Sequence, residues 1–489
     1  MDDDPNTAGG RRRLATAGVV LVLGLVYGQT LLPGTGFSGD TAKFQFIGRV
    51  LGTPHNTGYP TYVLLNAAFV RLLPVGSLAW RANLLSAVFA VAACTLLCLL
   101  LQRVGTPPLV AGVSSIVLGL TYTFWSQAVV AEVYTLHLLL MAAVATLLVG
   151  WERERREGWL FAAAAMTALS LGNHVMTVLL LPGIVYFVVR VGGRAVFTRR
   201  TLAILALILV AGLGQYGFVV WRSHRLPPEV YVQSSARTAG ELVDVIRGAE
   251  FRDAQAPFSL RELTLVRGPL LWGYARREWS WLLAVAALGV ALRLRAPLTG
   301  MLVAWTVANV VFVLNFDVVD AAVFLLPSYF CMAVWTAQGL TALRDALPER
   351  ARPAGLVLGV APVVFAVWSF TVVDRSKNLD DVRSVEQALA AAPDGSLLVS
   401  NDYERSQFAW YHLLGEGEGE RRDLLLADRV ERRALLRYVD GRGPLELRFT
   451  ARTVEPGRPV LALDGEVAES ARRAGFRVRP AGPSLWRLE

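Results

Sequence analysis

The chain is poor in the residues that most often announce a site. In 489 residues there are three cysteines, five histidines and only two lysines, Lys43 and Lys377. The cysteines, Cys94, Cys98 and Cys331, all lie inside apolar runs, so no disulfide framework is available. Cys94 and Cys98 sit at i and i+4, a spacing a regular helix cannot bridge with a disulfide, and two thiols make a poor metal site. Glycine-rich phosphate loops, paired metal-binding histidines, Ser/His/Asp series and Cys/His metal spacings are all missing, which leaves a nucleotide-sugar enzyme on the cytoplasmic side without support. No cofactor or metal is expected, because the acidic residues form no ligand cluster along the sequence. Charge is also scarce, at 18% of residues against 54% hydrophobic. The net charge of +9 resides almost wholly in arginines, most of them in short loops between apolar runs. That distribution sets membrane topology and meets lipid headgroups; it does not form a nucleic-acid-binding face. The arginine, alanine, leucine and valine bias fits a GC-rich bacterial genome.

Long apolar runs are abundant. About 20 apolar residues suffice for a helix to cross a ~30 Å hydrocarbon layer, and such runs recur through the first three quarters of the chain. The expected spans are 14–32, 82–101, 107–125, 132–150, 159–172, 174–190, 201–221, 279–293, 298–315, 321–341 and 354–373, about eleven in all. The first follows Arg11-Arg12-Arg13 without a clear cleavage site and reads as a retained helix with a cytoplasmic N-terminus. The run from Thr61 to Pro74 is short, carries Asn66 and Arg71, and is bounded by prolines, so it reads as a re-entrant or interfacial helix. With that segment not spanning, Arg103, Arg153-Arg155-Arg156, Arg190 to Arg200, Arg293-Arg295 and Arg344 to Arg352 all fall on one side, as the positive-inside rule requires. The first outer loop (33–81), Trp125 to Glu132, Gly172-Asn173-His174, the outer loop 222–278, Asn315 to Asp320 and the C-terminal region then share the other side. The chain thus reads as a membrane body over 1–373 and an extracytoplasmic α/β domain over 374–489, in a cell inner (plasma) membrane.

The polar residues gather on that outer side. Asp40 lies just beyond the first span, where a carboxylate serves either as a helix cap or as a general base. His55 sits in the turn Thr53-Pro54-His55-Asn56-Thr57-Gly58-Tyr59-Pro60, whose proline and glycine aim the imidazole. Glu132 opens an apolar helix that continues with Tyr134 and His137; helix capping is the plain explanation, but polar groups at membrane depth usually face a cavity. His174 follows a Gly-Asn break. Arg222 and Arg225 end a helix, where reaching for headgroups or neutralising a lipid phosphate are both open.

Taken in order, Gly39-Asp40, His55 to Tyr62, Ala79 to Ala87 (with Arg81 and Asn83), Phe124 to Tyr134 and Gly172-Asn173-His174 resemble the bacterial relatives of the transmembrane protein O-mannosyltransferase acting on plexin-type domains, within the GT-C superfamily of multi-spanning glycosyltransferases. The resemblance is close over roughly 14–225 and looser beyond. It implies a GT-C-type helical membrane fold, a polyprenyl-phosphate sugar donor with mannose as the sugar, and inverting transfer to a hydroxyl acceptor, protein Ser/Thr, outside the cytoplasm. It maps the acceptor-activating acid onto Asp40 and the second-loop acid onto Glu132. His55, Tyr59, Arg81, Tyr134, His174 and Arg222 are the candidate contacts to donor phosphate and substrate. One departure stands out: His55-Asn56-Thr57-Gly58-Tyr59-Pro60 replaces the family's His-Pro-Pro-Gly-Tyr-Pro.

In the C-terminal region, strands at 396–400 and 459–463 alternate with helices near 408–414 and 466–474, with a flexible acidic loop at 415–420. That pattern is a small α/β domain without an evident catalytic set. The rival readings are transfer to a lipid or cell-wall glycan with another sugar, a polytopic transporter, which would show repeated halves with broken helices, and a non-catalytic scaffold.

Overall fold

The computed structural model describes residues 5–36, 39–225, 230–348, 369–377, 380–450 and 452–489. A helical body carries a small C-terminal α/β domain on one end. Among the described residues, seven helices are long and apolar enough to cross a membrane, or eight when the bent pair Pro108–Leu120 and Tyr122–Ala128 counts as one span. Glu157–Leu171 and Leu282–Arg293 are shorter apolar helices. Ten of the eleven expected spans thus coincide with apolar helices, while fewer of these are long enough by themselves to cross. The eleventh, 354–373, lies outside the described residues apart from its last five.

The first helices follow the sequence closely: α1 (Pro5–Thr30), α2 (Thr41–Val50), α3 (Pro60–Leu72), α4 (Leu78–Arg103), α5 (Pro108–Leu120), α6 (Tyr122–Ala128) and α7 (Tyr134–Glu154). Pro60 begins α3, where a missing N–H costs nothing. Ser77 caps α4 by accepting from the Trp80 N–H at 3.1 Å. The segment 61–74 falls almost wholly in the 13-residue α3, which packs against α2. The run 107–125 is not one straight span. It bends by 73° at Thr121, whose backbone is extended, and Glu278 from a distant helix caps the new start by accepting from the Thr123 N–H (3.1 Å) and hydroxyl (2.6 Å).

The buried amide of Asn83 joins the end of the first span, α2 and the segment before α7. Its Nδ2 donates to the Leu32 carbonyl (2.9 Å), and its Oδ1 accepts from the Ala131 N–H (2.9 Å) and from Gln45 Nε2 (2.9 Å). One helical turn on, Ser86 accepts from the Glu132 N–H (3.0 Å) and donates to the Glu132 carbonyl (3.2 Å). The motif Ala79 to Ala87 therefore fixes the backbone that carries Glu132. The Thr61 N–H reaches the Gly172 carbonyl at 3.0 Å, and Asn173 Nδ2 reaches the Val133 carbonyl at 3.2 Å. Thr53 pairs with Tyr231 and Gln233 of the 222–278 loop. The segments grouped on one side by sequence are thus in contact.

The C-terminal domain holds a five-stranded mixed sheet in the order β2-β1-β5-β7-β6, with β1 Leu397–Ser400, β2 Leu425–Asp428, β5 Val460–Ala462, β6 Val478–Gly482 and β7 Leu485–Leu488. Strands β3 (Leu445–Leu447) and β4 (Arg452–Val454) form a separate antiparallel pair. The stretch 415–420 is not a loose loop. Gly415 closes a helical turn against Phe46 and Leu78, where any side chain would collide, and Glu418–Arg422 is helical. Tyr411 accepts from the Ala79 N–H at 3.1 Å, and the Val232 N–H donates to the Phe449 carbonyl at 2.7 Å, so the domain docks on α4 and on the outer loop.

An unsatisfied buried polar group costs about 1–3 kcal/mol. Asn83→Ala strands three partners and should destabilise the protein by about 3 kcal/mol or more. Thermal unfolding in detergent would register this, whereas an unchanged midpoint would show that the amide is not a structural hub.

Candidate active site

Asp40 occupies the N-cap position of α2, but its side chain makes no capping bond. It turns instead to Lys43, one turn on, whose Nζ lies 2.7 Å from Asp40 Oδ1. A cation in the first turn of a helix opposes the helix dipole, so Lys43 does not stabilise α2 by its position; it serves the carboxylate. Its side chain is completely buried, while that of Asp40 is 30% exposed. Lys43 Nζ also lies 2.8 Å from His55 Nδ1, 3.0 Å from the Tyr403 hydroxyl and 3.3 Å from Gln233 Oε1. The Tyr403 hydroxyl in turn donates to Asp40 Oδ1.

These contacts settle the state of His55. An ammonium at Nδ1 makes that nitrogen the acceptor, so the ring proton resides on Nε2 and donates to the Tyr59 hydroxyl at 2.9 Å. Burial, reinforced by Lys43, pushes the His55 pKa down to about 4, against the opposing pull of Asp40 and Glu250. Burial also works against ionisation of Asp40, but Lys43, His55 and the hydrogen bonds from Lys43 and Tyr403 outweigh it and hold the carboxyl below its usual range. Glu132, 8% exposed, behaves oppositely: burial first, then the charges of Asp40 and Asp320, raise its pKa well above normal. Thr41, next to Asp40, directs its hydroxyl toward Glu132 Oε1 at 3.5 Å. Two neighbouring carboxyls are therefore driven apart, one toward the anion and one toward the acid, a pattern that separates base from proton-holding roles.

An aromatic wall adjoins them. His174 packs against Tyr59 and Tyr134, each with ring centroids 5.7 Å away, and against His137 at 5.6 Å. Its Nδ1 accepts from the Met176 N–H at 3.2 Å, which leaves the proton of the neutral ring on Nε2. Phe44 and Phe251 enclose His55 and Tyr59.

The structure thus brings together Asp40, Glu132, His55, Tyr59, Tyr134 and His174. It does not bring in the two arginines. Arg222 donates to the carbonyls of Leu51 (2.7 Å) and Val50 (2.6 Å) at the end of α2, and Arg81 donates to those of Leu73 (3.1 Å) and Val70 at the end of α3 and to that of Ser77 (3.3 Å) at the start of its own helix. Both occupy helix C-termini, where a cation satisfies orphan carbonyls and complements the dipole. Lys43, Gln233 and Tyr403 were absent from the sequence-derived site. Lys43 carried a signal, as one of two lysines in an arginine-rich chain; Tyr403 lies 363 residues from Asp40 and carried none. The expectation of no acidic ligand cluster also needs amending. His412, Glu416 and Glu418 offer ligand atoms within 4.8 Å of one another on the C-terminal domain.

The described residues form a polytopic bundle of apolar helices that carries a small α/β domain over a buried, polar site. Its fold matches that of ArnT from Cupriavidus metallidurans in the apo state (TM-score 0.64, 13% identity, 96% of each chain) and of the same protein bound to undecaprenyl phosphate (TM-score 0.64, 14% identity, 96% of this chain and 97% of that one). Residues 40–194 match the family model of the protein O-mannosyl-transferase TMEM260 N-terminal domain. Mouse protein O-mannosyl-transferase TMEM260 is 28% identical over 237 residues, 47% of this chain. The matched region spans 32% of that relative's length. The matched segment, residues 40–194, contains the motifs from Asp40 to His174 that carry the resemblance in the sequence.

Because His55 is neutral in the fold, with its pKa depressed from 6.5 to about 4, the unfolded chain binds more protons between those values. Its contribution to stability is complete above about 6.5 and is lost as pH falls toward about 4. His55→Gln should flatten the fall in melting temperature across that window; an identical slope in parent and variant would contradict the assignment.

Proposed function

We propose that this chain is an inverting membrane glycosyltransferase. It moves a sugar, mannose on the likeness to the O-mannosyltransferases, from a polyprenyl-phosphate carrier to an acceptor hydroxyl, protein Ser/Thr, on the extracytoplasmic face of the inner membrane. The observation that carries this reading is the pair of carboxyls at the start of α2 and α7, with Asp40 held ionised and partly open while Glu132 is buried beside it. Asp40 takes the hydroxyl proton as the acceptor oxygen bonds to the anomeric carbon. The bond from that carbon to the phosphate oxygen breaks, the lipid phosphate departs with the electron pair, and one displacement inverts the centre. A positioned carboxylate suits that proton transfer. Glu132 orients the acceptor or the sugar, and the Nε2–H of His174 with the Tyr59 and Tyr134 hydroxyls serves the donor phosphate. This reading needs no metal or other cofactor. The carrier is supported by the fold shared with a protein crystallised with undecaprenyl phosphate.

The test uses membranes carrying the full chain and radiolabelled undecaprenyl-phosphate mannose. Asp40→Asn should lower transfer roughly 10²–10⁴-fold, the usual worth of a general base, and Glu132→Gln should lower it by a smaller factor. Full activity of Asp40→Asn would end the base assignment. Label in the protein fraction supports a Ser/Thr acceptor, whereas label extracted into organic solvent points to a lipid. Reporter fusions after Pro74 and after Arg103 should report outside and inside; an outside Arg103 would overturn the proposed topology.

A further inference from the structure

Asp40 has two oxygens in different situations. Oδ1 receives both Lys43 Nζ at 2.7 Å and the Tyr403 hydroxyl. Oδ2 faces His55 Nδ1 at 3.4 Å, and that nitrogen already accepts from Lys43. Two donors on one oxygen leave the other as the basic one. Tyr403 is the only one of the contributors that comes from the C-terminal domain, and its placement is tightly determined. It opens the helix Tyr403–Trp410, whose cap Asp402 accepts from the Arg405 N–H at 3.1 Å. The preceding turn is held by Asp464, which accepts from the Asn401 N–H at 2.8 Å and the Ser400 hydroxyl at 3.0 Å. The Arg429 guanidinium lies 5.2 Å from the Tyr403 ring centroid on the same domain. The domain is itself docked through Tyr411 and Gly415.

Resting on the reading of Asp40 as the base, we propose that Tyr403 is a positioning residue through which the C-terminal domain selects Oδ2 as the proton-accepting oxygen and sets its basicity. The membrane body alone then carries an incompletely oriented carboxylate, and docking of the domain completes it. The charged and titratable groups around Asp40 are Lys43 on its own helix, His55 and Tyr59 in the following turn and Glu132 before α7. Tyr134, Tyr231, Glu250 of the outer loop, Asp320, and Tyr403 with Arg429 are the others among the described residues. Of these, Tyr403 and Lys43 alone donate to the carboxylate. A hydrogen bond to the ionised form favours that form, so removing the hydroxyl raises the Asp40 pKa and leaves the oxygens less distinct.

The experiment reads Asp40 protonation without any transfer. A hydrophobic carbodiimide adds only to protonated carboxyls, and the stable N-acylurea on the Asp40 peptide is quantified by mass spectrometry in the full-length protein in detergent. The Glu132 peptide, whose carboxyl stays protonated to higher pH, is the internal reference for an intact fold. Tyr403→Phe keeps the ring, and so its packing near Arg429. It should increase Asp40 labelling about tenfold at pH 4, because the carboxylate loses one of its two donors. Tyr403→Leu, which removes ring and hydroxyl together, should move labelling the same way. Equal Asp40 labelling in parent and both variants, with Glu132 unchanged, would overturn the proposal. The acid limb of mannose transfer from undecaprenyl-phosphate mannose should move to higher pH in Tyr403→Phe. If labelling shifts while the parent transfers nothing, the role of Tyr403 at Asp40 stands and the transferase reading fails. If the parent transfers sugar and labelling does not shift, the reverse holds.

Discussion

The Asp40–Lys43 ion pair is the constraint around which the outer end of this molecule is arranged. Removing a lysine from water is costly unless its charge and its N–H groups are all matched. Here they are matched by a carboxylate, an imidazole, an amide and a phenol drawn from four separate stretches of chain. Each partner therefore has to be held in place, which explains why the first loop is built of two short helices instead of an open coil. It also shapes the protonation pattern, because burial keeps His55 neutral and the ammonium that holds Asp40 ionised reinforces it.

Arginine performs the supporting work. Arg71 donates to the Gly48 and Arg49 carbonyls, Arg222 to those of Val50 and Leu51, and Arg81 to those around the end of α3. Two short helices, α2 and α3, each too short to persist alone in water, are thereby closed at their C-termini by guanidinium forks. Asn83 and Ser86 do the same for the segment carrying Glu132. The result is two carboxyls on short, clamped elements above a bundle whose long apolar helices supply the membrane anchorage.

Much of this was legible in the sequence, for identifiable reasons. Run length and loop arginines gave the helices and their grouping because the bilayer imposes both. Proline boundaries and the short run at 61–74 set α3 apart from the long spans. The bend at Thr121 was hidden, since Glu278, the residue that caps it, lies 155 positions away. The same limit applies at the site. Asp40, His55, Tyr59, Glu132 and His174 fall in local motifs, whereas Tyr403 reaches Asp40 only through the docking of a separate domain. Arg81 and Arg222, whose guanidiniums donate to helix-end carbonyls, are ambiguous in the sequence because a lone arginine at a membrane interface is equally suited to a phosphate and to a helix end. Only the positions of neighbouring carbonyls distinguish the two.

The central claim is that sugar transfer occurs at Asp40, on the end of the bundle opposite the arginine-rich loops. A cryo-EM structure of the Asp40→Asn protein with undecaprenyl-phosphate mannose tests it directly. The account predicts the anomeric carbon beside residue 40, with the phosphate near Tyr59 and His174 and the lipid running down the bundle. Donor density at the end marked by Arg103, Arg153 and Arg293, with none beside residue 40, would contradict it.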